Sequence, residues 1–390
     1  MLTKNISFSN FRIKYLNKKI LGLFKKLLKE ENEIIESLKS SYVDTYTKKE
    51  IKKLNKFNEV ILIGMGGSIL GSRSIYSFLK EKIKKKFIFK DDFEFLKLNK
   101  KNKKNRMNLI ISKSGNTLET ISNANVLINK SDKNISITEN RESYLSTLAE
   151  KLKFEVIHHN NFIGGRYSVL SEVGMLPAQL MGLNVNKFRR FNSLIKNKKF
   201  VNSLIQNVSN TLYLIKRKKY NSIILNYDEN SSDIFYWYQQ LIAESLGKKS
   251  KGILPIISNM PKDNHSLMQL YLDGFKSNFY TFFNIKNNFS EKINSKNLLK
   301  SHIFLKKKSL NNIKQLQFNA TEKVFRLKKI PFRSFLIKRR NEEALGELFI
   351  FFILETILLG KALNVNPYDQ PAVELIKTET KKFLKKTNYR

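Results

Sequence analysis

Short apolar runs recur along this chain, separated by longer segments in which apolar residues return every three or four positions. "EVILIG" at 59–64, "NLIIS" at 108–112, "NISIT" at 134–138 and "FEVIHH" at 154–159 each read as a strand. A second set follows a long helical stretch over 171–216: "SIILNY" (222–227), "GILPIIS" (252–258), "FYTFFNI" (279–285) and "FRSFLI" (332–337). Strands alternating with helices predict parallel sheets covered by helices on both faces. The reading is α/β: two α/β/α sandwich domains at 56–190 and 191–390, mainly parallel sheets, joined near 185–205. Residues 1–55 read as a polar helical segment, on the spacing of "LGLFKKLLKEENEIIESL". Toward the other end, "NEEALGELFIFFILETILLGKAL" opens with an Asn cap and acidic residues in its first turn. "QPAVELIKTETKKFLKK" opens with proline near its first helical position. The longest apolar stretch, "LFIFFILETILLG", is short and carries Glu355, which suits a buried core helix better than a membrane span.

Charge changes this picture less than its size suggests. The chain has 390 residues, 72 Lys+Arg against 33 Asp+Glu, and a formal net charge of +39. Such an excess ordinarily points to nucleic acid or an anionic membrane. Here the lysines are spread over the whole length beside heavy use of Asn, Ile and Phe, all residues with A/T-rich codons. Runs such as "KEKIKKK" and "LNKKNKKNR" therefore read as solvated faces or loops, and nucleic acid is not the expected partner. The excess acts as a general field that attracts a phosphorylated small molecule. There is no cysteine, which excludes disulfides and thiolate metal sites. Four histidines, His158, His159, His265 and His302, argue against a His-rich metal site. The N-terminal sequence lacks the apolar core of a secretory signal. A cytoplasmic protein without membrane contact is the expectation.

Two loops carry the candidate chemistry. In "ILIGMGGSILGSRS" (61–74) an apolar strand runs into glycines and serines and then a helix, an arrangement that binds anions through backbone N–H groups. The dinucleotide pattern G-x-G-x-x-G fails, because Ile69 stands where its third glycine belongs. The P-loop pattern also fails, because Gly71 is followed by Ser72 and Arg73 instead of lysine and a hydroxyl residue. "NLIISKSGNTLETISN" (108–123) repeats the design: a strand, then Ser112, Lys113, Ser114, Gly115, Asn116 and Thr117, then a helix with Glu119. Hydroxyls and N–H groups at a helix start suit a phosphate monoester. Two such loops at the carboxyl ends of neighbouring strands would form one crevice.

The second loop, S-x-S-G-x-T-x-E, resembles the phosphosugar-binding loop of sugar isomerase domains. With G-x-G-G-S-x-L-G at 64–71, the chain resembles the phosphoglucose isomerase family. Further blocks follow in that family's order: "GGRYSVLSEVG" (164–174), "QQLIAESLGK" (239–248), "NHSLMQL" (264–270) and "NPYDQPAVELIK" (366–377). The resemblance implies two sugar-isomerase domains and reversible aldose–ketose interconversion of glucose 6-phosphate and fructose 6-phosphate. The route is ring opening and proton transfer through a cis-enediol. It implies no cofactor and no metal, since an arginine and helix termini supply the positive field. It also implies a homodimer in which a second subunit completes the active site and supplies the histidine.

The residues can be matched to these tasks. A carboxylate suits a proton shuttle between carbons 1 and 2, and Glu244 is the candidate. Gln240, four residues earlier on the same helical face, becomes a sugar contact by resemblance. Arg166 follows two glycines and takes the role of stabilising the enediolate. His265 and Lys377 take ring opening, with Gln370, Glu374 and Lys377 on one side of the final helix. Gly67 and Ser68 would touch the sugar phosphate, and Ser112, Lys113, Ser114, Gly115, Asn116 and Thr117 would grip its phosphate. Gln370 joins the substrate contacts. His158 and His159 match no motif and are read as structural. Asn116 stands where the family usually has threonine, "NMPKDNHS" lacks a glycine often found before the histidine, and the chain is short for the family. Two other readings compete: an isomerase that also accepts mannose 6-phosphate, and a non-catalytic sugar-phosphate sensor. A sensor would need neither the base nor the ring-opening pair.

Overall fold

A computed structural model describes residues 2–13, 15–97, 104–286 and 290–387. Its strands are β1 (Ile6–Ser9), β2 (Glu59–Gly64), β3 (Lys86–Lys90), β4 (Arg106–Ile111), β5 (Lys133–Glu139), β6 (Glu155–His159), β7 (Asn221–Asn226), β8 (Leu254–Asn259), β9 (Asn278–Ile285) and β10 (Phe332–Ile337). They form two five-stranded sheets, β3-β2-β4-β5-β6 and β1-β10-β9-β7-β8. The first is parallel throughout, and the second is parallel except for β1, which runs antiparallel to β10. The chain enters the first sheet at β2, steps to one side for β3, then crosses to β4, β5 and β6. It enters the second at β7, steps aside for β8, then crosses to β9 and β10. Between β2 and β4, and again between β7 and β9, the crossing direction reverses, which opens a crevice outside the carboxyl ends of those strands.

The buried strands read as continuous apolar runs because helices cover both faces. All of β2 and β9 is buried, and so is β4 after Arg106. Pro255 is tolerated because β8 is an edge strand. The helix Glu342–Ala362 supplies much of the core and is buried continuously from Ala344 to Gly360, with Asn341 Oδ1 accepting the Ala344 N–H at 2.8 Å as its cap. Its Glu355 is matched inside the core by Arg333 of β10, whose guanidinium also donates to Asn207 Oδ1 (2.9 Å), Thr281 Oγ1 (2.9 Å) and the Tyr238 hydroxyl (3.1 Å). A buried charge is tolerable only with partners of this kind. No helix among the described residues is long and apolar enough to cross a membrane.

Several expectations need correction. The N-terminal segment is not helical throughout: "ISFS" forms β1 and extends the second sheet, where Ile6 pairs with Ile337. Four residues within a polar stretch carry too little period to be seen. Strand β3, "KFIFK", escapes for a related reason, because it grows directly out of the lysine run "KEKIKKK", of which Lys80–Lys82 forms a 3-10 turn. Of the run "LNKKNKKNR", residues 98–103 lie outside the described residues, while its Arg106 starts β4 and bonds Glu59 of β2. The stretch 171–216 is broken into Glu172–Leu180, Phe191–Lys196 and Lys198–Lys216. Gly182 lies at φ +83° after the first of these, and Asn197 caps the last by accepting from Lys199 and Phe200.

Candidate active site

The first loop is built by contact between two glycine backbones. β2 ends at Gly64, and the helix Gly67–Leu79 begins without a side-chain cap, behind Gly66 at φ +55°. A Cβ on Gly67 would stand 2.1 Å from the carbonyl carbon of Gly165, so only glycine lets the segment before Arg166 lie against this helix start. A Cβ on Gly66 would stand 2.8 Å from Gln240 Nε2, which sets that side chain directly beside the loop. Ser68, in the first helical turn, is half-buried. No side chain caps this helix, and the Ser68 and Ile69 N–H groups turn back onto the Met65 and Gly66 carbonyls at 3.2 and 3.0 Å; a helix start without a side-chain cap is where an anion can be received.

The second loop follows β4, the neighbour of β2, so both loops flank the first reversal point. Ser112 is buried, and its hydroxyl lies 3.0 Å from that of Thr117. Thr117 is the N-cap of the helix Leu118–Leu127; its carbonyl accepts the Ile121 N–H at 2.9 Å, but its side chain caps none of the leading N–H groups. Gly115 adopts φ +65°, and its N–H donates to the Ser112 carbonyl at 3.1 Å, closing the turn. Ser114 Oγ accepts from the Asn116 N–H at 3.2 Å. The exposed Asn116 side chain is engaged elsewhere, accepting from the Tyr144 N–H at 3.0 Å through Oδ1. Lys113 lies beside Glu139 at 3.3 Å, with its side chain partly exposed at the mouth of the crevice.

Arg166 is the centre of the constellation. It is 2% exposed, and every N–H of its guanidinium is used. Nε donates to Ser245 Oγ (2.8 Å), Nη1 to Glu244 Oε2 (3.2 Å) and Gln370 Oε1 (2.5 Å), and Nη2 to the carbonyls of Pro367 (2.7 Å) and Asp369 (3.0 Å). Glu244 and Gln240 share one face of the helix Ser232–Leu246, and Gln240 Nε2 donates to Glu244 Oε1 at 2.9 Å. Glu244 therefore holds one donor on each oxygen and still exposes 29% of its side chain. Gln240 Oε1 is buried with no hydrogen-bond partner, an acceptor facing neither protein donor nor bulk water. A cavity of about 600 Å³ opens beside Glu244 and Gln370, bounded by Lys248, Asn366, Asp369 and Pro371.

The surrounding groups hold this cluster still. Tyr167, whose hydroxyl burial pushes above its ordinary pKa, donates to the Pro367 carbonyl at 2.9 Å. Lys248 bonds Asp369 at 2.8 Å and holds its carboxyl below the usual range. Ser245, Tyr167 and the Pro367 and Asp369 carbonyls had no sequence signal of their own. Each lies within or beside a recognised block, but a backbone carbonyl is chemically silent in a sequence.

Two expected residues are not brought in. His265 ends the 3-10 turn Lys262–His265 and is exposed, and the hydrogen bonds of Glu244 and Arg166 described above do not include it. Lys377 lies on the exposed helix Val373–Thr387 and pairs with Glu374 at 2.6 Å. Gln370 precedes that helix, so it does not share a helical face with Lys377. The reason is that the helix starts only at Val373, after the turn through Pro371.

Comparison with known proteins fits this geometry. The family model described as "Phosphoglucose isomerase" matches residues 9–389. A glucose-6-phosphate isomerase of Methanocaldococcus jannaschii is 33% identical over 339 residues, 83% of each chain. That of Mycoplasmopsis synoviae is 32% identical over 372 residues, 85% of this chain and 86% of its own. Among solved structures, a hypothetical protein from Thermus thermophilus superposes with a TM-score of 0.82 at 22% identity, covering 94% of both chains. A glucose-6-phosphate isomerase from Chlamydia trachomatis superposes with a TM-score of 0.70 at 16% identity, covering 99% of this chain and 89% of its own. These superpositions speak for the fold, and the family match with the sequence relatives speaks for descent: the chain belongs to the phosphoglucose isomerase family.

Proposed function

We propose that this chain interconverts glucose 6-phosphate and fructose 6-phosphate, with the sugar lying between the two glycine-serine loops and Glu244. The observation that carries the reading is the Arg166–Glu244–Gln240 cluster, in which a partly exposed carboxylate sits beside an unpaired buried acceptor, Gln240 Oε1. A sugar hydroxyl can donate to that acceptor. Ser68, Ser112, Lys113, Ser114, Gly115, Asn116 and Thr117, with the Gly67 backbone, hold the phosphate. In the aldose, Glu244 takes the proton from carbon 2, and the released electron pair forms the carbon 1–carbon 2 double bond. The carbonyl oxygen on carbon 1 takes up the negative charge as a cis-enediolate, to which the carbon 2 hydroxyl passes its proton. Glu244 then returns its proton to carbon 1 while the charged oxygen on carbon 2, its proton now on the carbon 1 oxygen, becomes the carbonyl. Arg166 Nη1 faces the same site as Glu244 and Gln370 and stabilises the negative charge on the enediolate oxygens.

Ring opening transfers the anomeric hydroxyl proton to a base while the ring oxygen is protonated and its bond to the anomeric carbon breaks. His265 and Lys377 perform these transfers. The exposure of His265, which shares no hydrogen bond with Glu244 or Arg166 of its own chain, supports a homodimer in which it serves the neighbouring site.

The test is a coupled assay with fructose 6-phosphate on the full chain and on Glu244→Gln. The variant loses about 100- to 10,000-fold in kcat while retaining sugar-phosphate binding. Undiminished turnover would remove Glu244 as the base. Mixing subunits of Glu244→Gln with His265→Ala tests the shared site: random dimers regain about a quarter of wild-type activity if each site draws on both chains. No regain assigns His265 elsewhere.

A further inference from the structure

The loop that bears Gly165 and Arg166 leaves β6 at His159 and ends at Glu172, the first residue of the helix Glu172–Leu180. These two side chains meet across its base. His159 Nδ1 lies 2.5 Å from Glu172 Oε1, with the side chains 1% and 0% exposed. The other ring nitrogen, Nε2, lies 3.0 Å from the Ile163 carbonyl, inside the loop itself. Glu172 is fully engaged: Oε1 also accepts the Asn160 N–H at 2.9 Å, and Oε2 accepts the Tyr42 hydroxyl at 3.0 Å. Burial works to raise the pKa of this carboxyl, but the bond and charge of His159 and the Asn160 N–H outweigh it and hold the value below the usual range. The carboxylate is thus ionised and accepts only. Each ring nitrogen of His159 therefore faces an oxygen acceptor, the Glu172 carboxylate on one side and the Ile163 carbonyl on the other.

We propose that His159 and Glu172 form a clasp that positions Arg166 for isomerisation, a role that rests on the proposed function of the Arg166–Glu244 cluster. The physical need is plain. The absence of a Cβ on Gly67 is what lets this backbone lie against the helix start, while Gly164 and Gly165, two glycines in succession, leave the loop many alternative conformations. Arg166 is tied at its far end to Ser245, Glu244, Gln370 and the Pro367–Asp369 carbonyls. The clasp fixes the near end by bonding Asn160 and Ile163 directly and by tying the end of β6 to the start of the next helix. A misplacement of about 1 Å at such a group costs about 100-fold in rate. The surroundings are themselves braced: Arg189 pairs with Asp44 at 2.6 Å and stacks 4.9 Å over Tyr42, Tyr46 is buried nearby, and Glu33 accepts from Asn160 Nδ2 at 2.9 Å. His158, the preceding residue, is exposed and takes no part beyond its carbonyl, which accepts from Thr45 at 2.6 Å.

The test uses the full chain and two variants. His159→Phe fills the volume and removes both bonds. It lowers kcat about 10- to 100-fold with KM for fructose 6-phosphate within about threefold. It weakens a hydroxamate analogue of the enediolate by the same factor as kcat, while a phosphorylated sugar alcohol, which lacks the enediolate, binds as before. Glu172→Gln retains most of the rate, because the amide oxygen can take the place of Oε1 and accept from His159 Nδ1 and the Asn160 N–H while the amide nitrogen donates to the Tyr42 hydroxyl. An unchanged kcat in His159→Phe, or an equal loss of both ligands, would reduce the pair to general scaffolding. The imidazole nitrogen NMR spectrum of the wild-type chain supplies an independent arm. Two ring N–H signals from His159 are expected, and a single one overturns the clasp even if the protein turns over no sugar phosphate. Absent turnover with both signals present would instead overturn the isomerase reading and with it the role assigned to Arg166.

Discussion

The two sheets share one topology but use their reversal points differently. After β2 the chain turns through Gly64–Gly67, and the start of the next helix is left without side-chain acceptors. After β7 the same kind of turn runs through Tyr227–Ser231 and fills itself. Asp228 accepts from Arg340 Nη2 through one oxygen and from Ser231 Oγ through the other, both at 2.6 Å. An aspartate there supplies the negative charge that a ligand would otherwise bring, so topology alone creates a crevice and the turn residues decide whether it stays open. The second sheet contributes in another way. Its first helix, Ser232–Leu246, lies along the helix Gly67–Leu79, with Ser74 Oγ donating to the Asp233 carbonyl at 2.8 Å. Its later turns then deliver Gln240 and Glu244 to the first crevice. In the proposed reaction, the first sheet grips and the second supplies the base.

That contrast can be broken at several points. The largest effect is expected at the loop contact: Gly67→Ala pushes its backbone away from Gly165 and lowers kcat/KM about 100-fold, measured in the coupled assay. A variant with near-normal activity would mean the two glycine segments need not touch. Lys113→Ala comes next, raising KM about tenfold with kcat nearly unchanged, as expected for a single charge-assisted contact to phosphate. Loss in kcat alone would assign this lysine to chemistry instead of grip. Asp228→Asn, at the filled crevice, is expected to cost about 2 kcal/mol in denaturant unfolding while leaving KM within twofold. A large rise in KM there would show that the second crevice also serves the substrate.

The smallest effect concerns pH. Glu172 has a folded pKa below its unfolded value, so its contribution to stability is present above the unfolded value near 4.3 and is lost as pH falls through the folded one. Melting temperatures of the wild type and Glu172→Gln should therefore differ at neutral pH and converge in acid, below about pH 4. A constant gap would mean that the ionisation of Glu172 contributes nothing.

Eight of the strands were legible as apolar runs because parallel sheets covered on both faces demand continuous burial, and β2, β4 and β9 are extreme cases. The two strands that escaped, β1 and β3, are short, lie at sheet edges and sit among polar or lysine-rich residues, where neither period nor burial leaves a mark. At the site, Gly67, Arg166, Gln240, Glu244 and Gln370 were named from blocks and do converge. His265 and Lys377 came from equally good blocks and do not, because a motif records which residues a family uses without recording which subunit or which conformation brings them in.

The sequence by itself determined the class of fold, the two loops, and the blocks that mark the family. These are local properties: burial period, glycine content, hydroxyls at a helix start. The tertiary structure alone decided how Arg166 is held. Its partners lie 78 to 204 residues away, two of the five acceptors are backbone carbonyls, and the pair closing its loop joins a histidine and a glutamate with no common motif. Such contacts arise only when the covered faces of both sheets are buried together. Until then, His159 is one unremarked histidine and Arg166 one cation among many.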